Sequence, residues 1–461
     1  MLRLLLIAMA IIVFQNPLAA SSRTTAGIGT WRAGTAKSII TPAELIWMSG
    51  YGSRDKPAEG KLHDLWAKAL VLEDPQGERV LLITLDLVGI DRKTSQEICD
   101  HLQKTHHLKR SQIALCMSHT HTGPVVGRNL MAMYSLDEKQ LQMIAEYTST
   151  LVETILKTAD DAFEAIAPAV ISTGEGTAGF AVNRRTNREA DVPMLRAAGE
   201  LKGPVDHAVP VLVVKDMDGA VKVIVTGYAC HATVLSFNQW SGDWPGFAQI
   251  ELEKMYPGAT AMFWAGCGAD QNPLPRRTVE LAEEYGKQLA VAADATMKSS
   301  LKDIQGGLKS EYREIDLAFG ELPSKEQFEK DAAGSDRYLA GRAKQLLRTI
   351  ESEGKLSQTY PYPVQVWSIG NEISMVILGG EVVVDYSLRL RHEIPGSVWV
   401  AGYSNDVMAY IPSARVLMEG GYEGATAMIY YGLPTSWSTE VEEHIVRTVS
   451  ELHSQLAPAA K

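Results

Sequence analysis

Four cysteines in 461 residues, Cys99, Cys116, Cys230 and Cys267, leave no CxxC spacing anywhere in the chain. That excludes the usual zinc-knuckle patterns; in an exported chain one or two disulfides are permitted, and the sequence pairs none of them. No long block of Lys and Arg occurs, and 44 basic against 55 acidic residues give a net charge of -11. Nucleic-acid binding is therefore disfavoured, because affinity for a polyanion rests on cationic side chains that neutralise phosphates. There is no GxSxG turn to expose a serine nucleophile, no internal repeat and no low-complexity tract. Beyond the first residues, no apolar stretch is long enough to span a bilayer.

With 46% hydrophobic and 21% charged residues the composition is that of a globular chain with a large core, which argues against disorder. The amino terminus has a basic residue at Arg3, an apolar run from Leu4 to Phe14, and small residues around Ala19 to Ser22. This three-part order is that of a secretory signal, and residues 1–22 are expected to be a cleaved leader that sends the protein to the periplasm or the exterior. An uncleaved anchor is the alternative.

Apolar runs at 65–72, at "RVLLITLDLVGI" from Arg79, and near 210, 221, 259 and 373 read as strands. Helical signals fall at 93–106, 245–256, 277–299, 335–353 and 382–391. A long helix is expected to open with a capping box from Ser135 to Glu138, and a last one is announced by Thr439 and Glu442. Strands alternating with helices, some of the strands in hairpins, predict an α/β fold of mixed β-sheets covered by α-helices. The stretch 300–365 is more polar and reads as a helical peripheral insertion. No boundary cuts the chain, so residues 23–461 are expected to form one catalytic domain.

In open α/β sheets ligands bind beyond strand ends, so reactive residues that follow an apolar strand are the informative ones. His119 and His121 follow "IALCM", His231 follows "VIVTGYAC", "GCGADQNP" follows "AMFW", and Glu381 follows "ISMVILGG". In an extended strand, side chains two apart face one side, so His119 and His121 are expected to share a pocket. Two histidines and a carboxylate suit a catalytic zinc that keeps one position for water. Other readings stay open at this level. HxHxDH metal sites fail because the motif continues as Thr-Gly-Pro, and barrel amidohydrolases place HxH on an earlier strand. Cys267 is read as a structural or disulfide cysteine rather than a thiol nucleophile.

Taken in order, "SHTHTGP", "NRR" at 183–185, "CHAT" at 230–233, "SGDWPG" at 241–246, "GGE" at 379–381, and Tyr410 with "YEGAT" twelve residues later resemble the neutral/alkaline non-lysosomal ceramidase family, from about Gly34 to Gly432. The resemblance implies a zinc-dependent amidohydrolase that cleaves an N-acyl amide, with one zinc on His119, His231, Glu381 and Tyr410. His121, Arg184 and Tyr422 would then be the catalytic residues around the scissile amide. Which of Arg184 and Arg185 faces the site is left open. Asp243 is read as orienting a ligand or capping the following helix, and Asp86 as a further supporting candidate.

Two departures from the family pattern bear on substrate. A serine expected in a GDxSPN-like loop is absent from "GADQNP", where Asp270, Gln271 and Asn272 are the candidate substrate-binding residues, and the catalytic domain is expected without the C-terminal immunoglobulin-like domain that the resemblance implies. The expected partner is a small-molecule N-acyl lipid or amide, with peripheral membrane contact as a further expectation. The alternatives are a secreted lipid- or ligand-binding protein on the same fold that has lost hydrolysis, and a metal-dependent esterase or lactonase.

Overall fold

The computed structural model describes residues 30–299 and 301–456. The expected leader lies outside them. Nine strands form the larger sheet, in the order Thr260–Ala265, Val221–Tyr228, Ala208–Asp216, Ala167–Thr177, Arg32–Ile39, Trp66–Glu73, Arg79–Leu85 and Ile113–Met117, with Lys302–Asp303 paired to Ala167–Thr177. Its centre is antiparallel and its two outermost pairs are parallel, so the sheet is mixed. Each parallel pair needs a crossover. Helix Arg92–His106 supplies one, and helix Asp243–Met255 the other.

A second sheet, ordered Leu308–Ala318, Thr359–Ile369, Ile373–Leu378 and Ser397–Ala401, packs face to face with the first. Alternation along the strands explains why. In the first sheet Val71, Leu81 and Ile83 point to a core shared with the helices, whereas Leu70, Leu72, Val80 and Leu82 point to a core shared with Trp367, Met375 and Trp399 of the second. With successive side chains on opposite faces and both faces apolar, strands such as Trp66–Glu73 and Arg79–Leu85 read as continuous hydrophobic runs, whereas Arg32–Ile39 and Ala167–Thr177, with exposed polar positions, do not. Helix Val441–Leu456 contributes Ile445, Val449 and Leu452 to the outer face of the second sheet. The layers are therefore helix, sheet, sheet and helix.

Three expectations change. The long helix Glu138–Glu164 is capped by Asp137, whose carboxylate accepts from the Gln140 N–H, and not by Ser135. The stretch 300–365 is not a peripheral insertion: it supplies the two longest strands of the second sheet, and only helices Lys325–Ala333 and Arg337–Glu353 between them match its helical reading. All four cysteines are free and buried, so no disulfide forms. Burial pushes the Cys116 thiol up to about 12 and Cys267 well above the ordinary thiol value, which leaves neither a reactive thiolate. Among the described residues no helix is long and apolar enough to cross a membrane.

Candidate metal centre

The segment 402–405 leaves the second sheet and ties the edge strands of the first together. Gly402 N–H donates to Ala265 O, Tyr403 O accepts from Met117 N–H, and Asn405 N–H donates to Leu115 O. Chain ends from both sheets are thereby brought to one place. Strand Ile113–Met117 runs out into His119, Val221–Tyr228 into His231, and Ile373–Leu378 into Gly379, Gly380 and Glu381. The two glycines serve close approach. A Cβ on Gly380 would lie 2.6 Å from Ala409 O, and the residue sits at φ +71°, where side chains are strained. Their absence of side chains lets Glu381–Val382 pair in parallel with Tyr410–Ile411, in a register that sets Glu381 beside Tyr410.

His119 and His121 meet, but not through strand alternation. The strand ends at Met117, and His119 has φ 58°, a left-handed conformation whose cost is of order 1–3 kcal/mol at a non-glycine residue. The turn sets the two rings edge to face with centroids 4.8 Å apart and Nε2 atoms 3.1 Å apart. Gly50 covers the His121 ring at φ +94°, where a Cβ would come within 2.5 Å of Cγ.

The hydrogen bonds fix tautomers. His119 Nδ1 donates to Val88 O at 2.6 Å and His231 Nδ1 to Gly268 O at 2.7 Å. A carbonyl only accepts, so in the neutral rings both protons sit on Nδ1 and both Nε2 atoms carry lone pairs. These point at one oxygen, Glu381 Oε2, at 3.2 and 3.1 Å. The other carboxylate oxygen, Oε1, accepts from Tyr431 OH, whereas among the described residues Oε2 has no hydrogen-bond donor. A buried carboxylate oxygen facing two lone pairs is repulsive unless a cation lies between them. The donor set suits a divalent ion, and His119, His121 and His231 together form a buried group able to hold a metal.

Burial, then the nearby Arg184 charge, lowers His231 to about 4, and burial with the neighbouring imidazoles holds His121 well below the ordinary histidine value. Tyr410 OH lies 3.4 Å from His231 Nε2, and burial, with Glu381 beside it, raises its pKa well above that of a free phenol. His121 differs from the other two histidines: its Nδ1 is buried with no partner among the described residues.

Arg184, not Arg185, faces the centre. Its Nη2 donates to Tyr410 OH at 3.1 Å, its Nε to Glu423 at 2.7 Å and its Nη1 to Asn272 Oδ1 at 3.3 Å. Arg185 turns to Glu419 and to the second oxygen of Glu423. Tyr422 packs edge-on against Tyr410, is 39% exposed, and with Arg184, Asn272 and Arg276 lines an open cavity of about 560 Å³. Asp270 and Gln271 do not fit the substrate-binding expectation. Asp270 accepts from the Val384 N–H and from Asn183, and Gln271 donates to Ala229 O and accepts from the Asp206 N–H, so both buried side chains are committed to the scaffold. Asn272 alone of the three reaches the cavity. Asp243 starts its helix and accepts from the N–H groups of Leu235 and Trp244, while the Trp244 indole donates to His231 O. It thus braces the loop bearing His231. Asp86 accepts from the Trp66 N–H and Gln249 and makes no contact with the histidines.

Sequence reasoning missed Tyr403, Tyr431 and Glu423. The Tyr403 ring lies 4.2 Å from that of His119. Glu423 adjoins Tyr422 inside the quoted "YEGAT", so a carboxylate was in view there; nothing local marks Tyr403 or Tyr431.

A sequence profile described as neutral/alkaline non-lysosomal ceramidase, N-terminal, matches residues 31–270, more than half of the chain. The chain belongs to this ceramidase family. The neutral ceramidase of Pseudomonas aeruginosa is 21% identical over 485 residues, an alignment spanning 86% of this chain and 69% of that enzyme. Neutral ceramidase 1 of Arabidopsis thaliana is 25% identical over 252 residues, covering 54% of this chain and only 32% of its own length. A solved ceramidase complexed with C2 superposes with a TM-score of 0.72 at 20% identity, covering 94% of this chain and 76% of that one. The ceramidase fold is thus shared across both sheets.

Proposed function

We propose that the chain is an exported, zinc-dependent amidohydrolase that cleaves an N-acyl amide, ceramide or a related N-acyl lipid, to a fatty acid and an amine. The observation that carries the reading is the convergence of two imidazole lone pairs on a carboxylate oxygen that has no donor. His119, His231, Glu381 and Tyr410 would hold one zinc ion. Pinning of the Nδ1 protons of His119 and His231 by carbonyls is the outer support that metal-bound histidines need. Zinc bound there would lower the pKa of a water to ~7 and polarise the amide carbonyl.

The remaining steps belong to the protein. His121 is neutral and its Nε2 lies 3.1 Å from His119 Nε2, so this ring faces the centre and is the group placed to take a proton and return it to the departing amine. Tyr422, at the cavity edge, has a hydroxyl available to the developing oxyanion. Arg184, held by Glu423, keeps a guanidinium charge on Tyr410 OH and so favours its ionised form. Support for a lipid amide as substrate comes from family membership and from the named activity of the relatives. Because the centre draws on residues before 270 and after 380, the same reading treats 23–461 as one catalytic unit. The leader-like order of Arg3, Leu4–Phe14 and Ala19–Ser22 supports export.

Purified protein assayed on a fluorescent ceramide and on matched N-acyl amides and esters tests this. Chelator-sensitive release of fatty acid from amides, restored by zinc, is expected. Turnover of esters alone would assign an esterase, and zinc binding without any turnover would assign a binding protein.

A further inference from the structure

Tyr431 takes no part in the steps above, yet among the described residues its hydroxyl makes the one hydrogen bond to the Glu381 carboxylate, donating to Oε1 at 2.5 Å. The segment carrying it is held from several sides. Ala427 and Met428 are buried in the core of the second sheet, Gly432 N–H donates to Ile429 O, and Leu433 N–H donates to Met428 O. The adjacent Tyr430 ring packs edge-on against Tyr338 of helix Arg337–Glu353, 5.0 Å between centroids, and Gly432 lies against Gln345 of the same helix. The tyrosine hydroxyl therefore comes from a braced turn and not from a free side chain.

Its effect follows from the carboxylate's geometry. With Oε1 occupied by an O–H donor, the carboxylate cannot rotate to offer both oxygens to the histidines, and Oε2 alone remains aimed at His119 Nε2 and His231 Nε2. We infer that Tyr431 is a positioning residue that locks Glu381 as a one-oxygen ligand for a divalent cation. This rests on the metal-centre reading given above. Such outer contacts to a ligating carboxylate typically account for roughly 10–100-fold in metal affinity. Helix Arg337–Glu353, which backs the turn, is thereby coupled to the centre without touching it.

A double-mutant cycle tests the inference, with zinc affinity of chelator-treated protein read by competition against a chromophoric chelator, and the thermal midpoint of the metal-free protein recorded alongside. Tyr431→Phe is expected to weaken zinc binding by about 10–100-fold in the native background and by less than about twofold in Glu381→Ala, where there is no carboxylate to position. An equal loss in both backgrounds would show that Tyr431 acts through general structure, and no loss in the native background would remove its role. If the unaltered protein binds no zinc, the metal-centre reading itself fails, an outcome distinct from either.

Discussion

Replacing Glu381 with glutamine separates two accounts of the same geometry by the sign of the effect. If His119 and His231 are neutral with lone pairs on Nε2, the metal-free protein carries an uncompensated carboxylate oxygen. In Glu381→Gln the amide oxygen can still accept from Tyr431, while the NH2 group offers two donors to the two Nε2 atoms at 3.2 and 3.1 Å. Removing one buried unsatisfied acceptor and adding neutral hydrogen bonds stabilises by about 1–3 kcal/mol. If instead the histidines were protonated and paired with the carboxylate, taking away the anion would destabilise by about 3–5 kcal/mol. For a chain of this length each kcal/mol moves Tm by about 1 °C. Chelator-treated Glu381→Gln at pH 8 should therefore melt roughly 2 °C above the native protein. The order should reverse in zinc, because a ligand present at a thousand times its Kd adds about 4 kcal/mol to the protein that binds it. A metal-free variant melting several degrees below the native protein would refute the lone-pair argument.

His119→Ala and His231→Ala should lose both zinc, by metal analysis, and turnover, whereas His121→Ala should keep zinc and lose about 10²–10⁴-fold in rate. A zinc-free His121→Ala would make that ring a ligand instead. His231 is lowered to about 4 in the fold against its ordinary value of 6.5, so the unfolded chain binds the extra proton between these values. Stability of the metal-free protein should therefore be complete above pH 6.5 and decline as pH falls towards 4, by up to about 3 kcal/mol from this group, as read by denaturant titration. Asp270→Asn should cost about 1–3 kcal/mol of stability, because an amide NH2 would face the Val384 N–H or the Asn183 amide, with KM little changed in the protein that folds. Gly50→Ala should lower turnover and stability together, since its Cβ would meet the His121 ring at 2.5 Å.

Strands such as Arg79–Leu85 were legible because both of their faces are apolar, as in "RVLLITL", and the last helix was announced by its periodicity and by Thr439 and Glu442, whereas Arg32–Ile39 and Ala167–Thr177, with exposed polar positions, gave no such run. What one chain segment does not encode is which layer covers it. The polarity of 300–365 reflects two helices on the surface, and it hid strands Leu308–Ala318 and Thr359–Ile369, whose outer residues such as Glu311 and Arg313 are partly exposed. At the centre, His119, His231, Glu381 and Tyr410 could be named because each follows a strand or a quoted motif. Their mutual distances depend on the 402–405 crossing between sheets, which leaves no local mark. Asp270 and Gln271 show the converse: polar residues in a glycine-rich loop look available to a ligand until burial assigns their hydrogen bonds inward.

The central claim is that four distant segments hold a single zinc ion. Equilibrium dialysis of chelator-treated protein against zinc, with metal counted per chain, tests it most directly. One tightly held zinc per chain, lost in His119→Ala and in His231→Ala, is the predicted result. Protein that stays metal-free at saturating zinc, or variants that bind as well as the native chain, would contradict it.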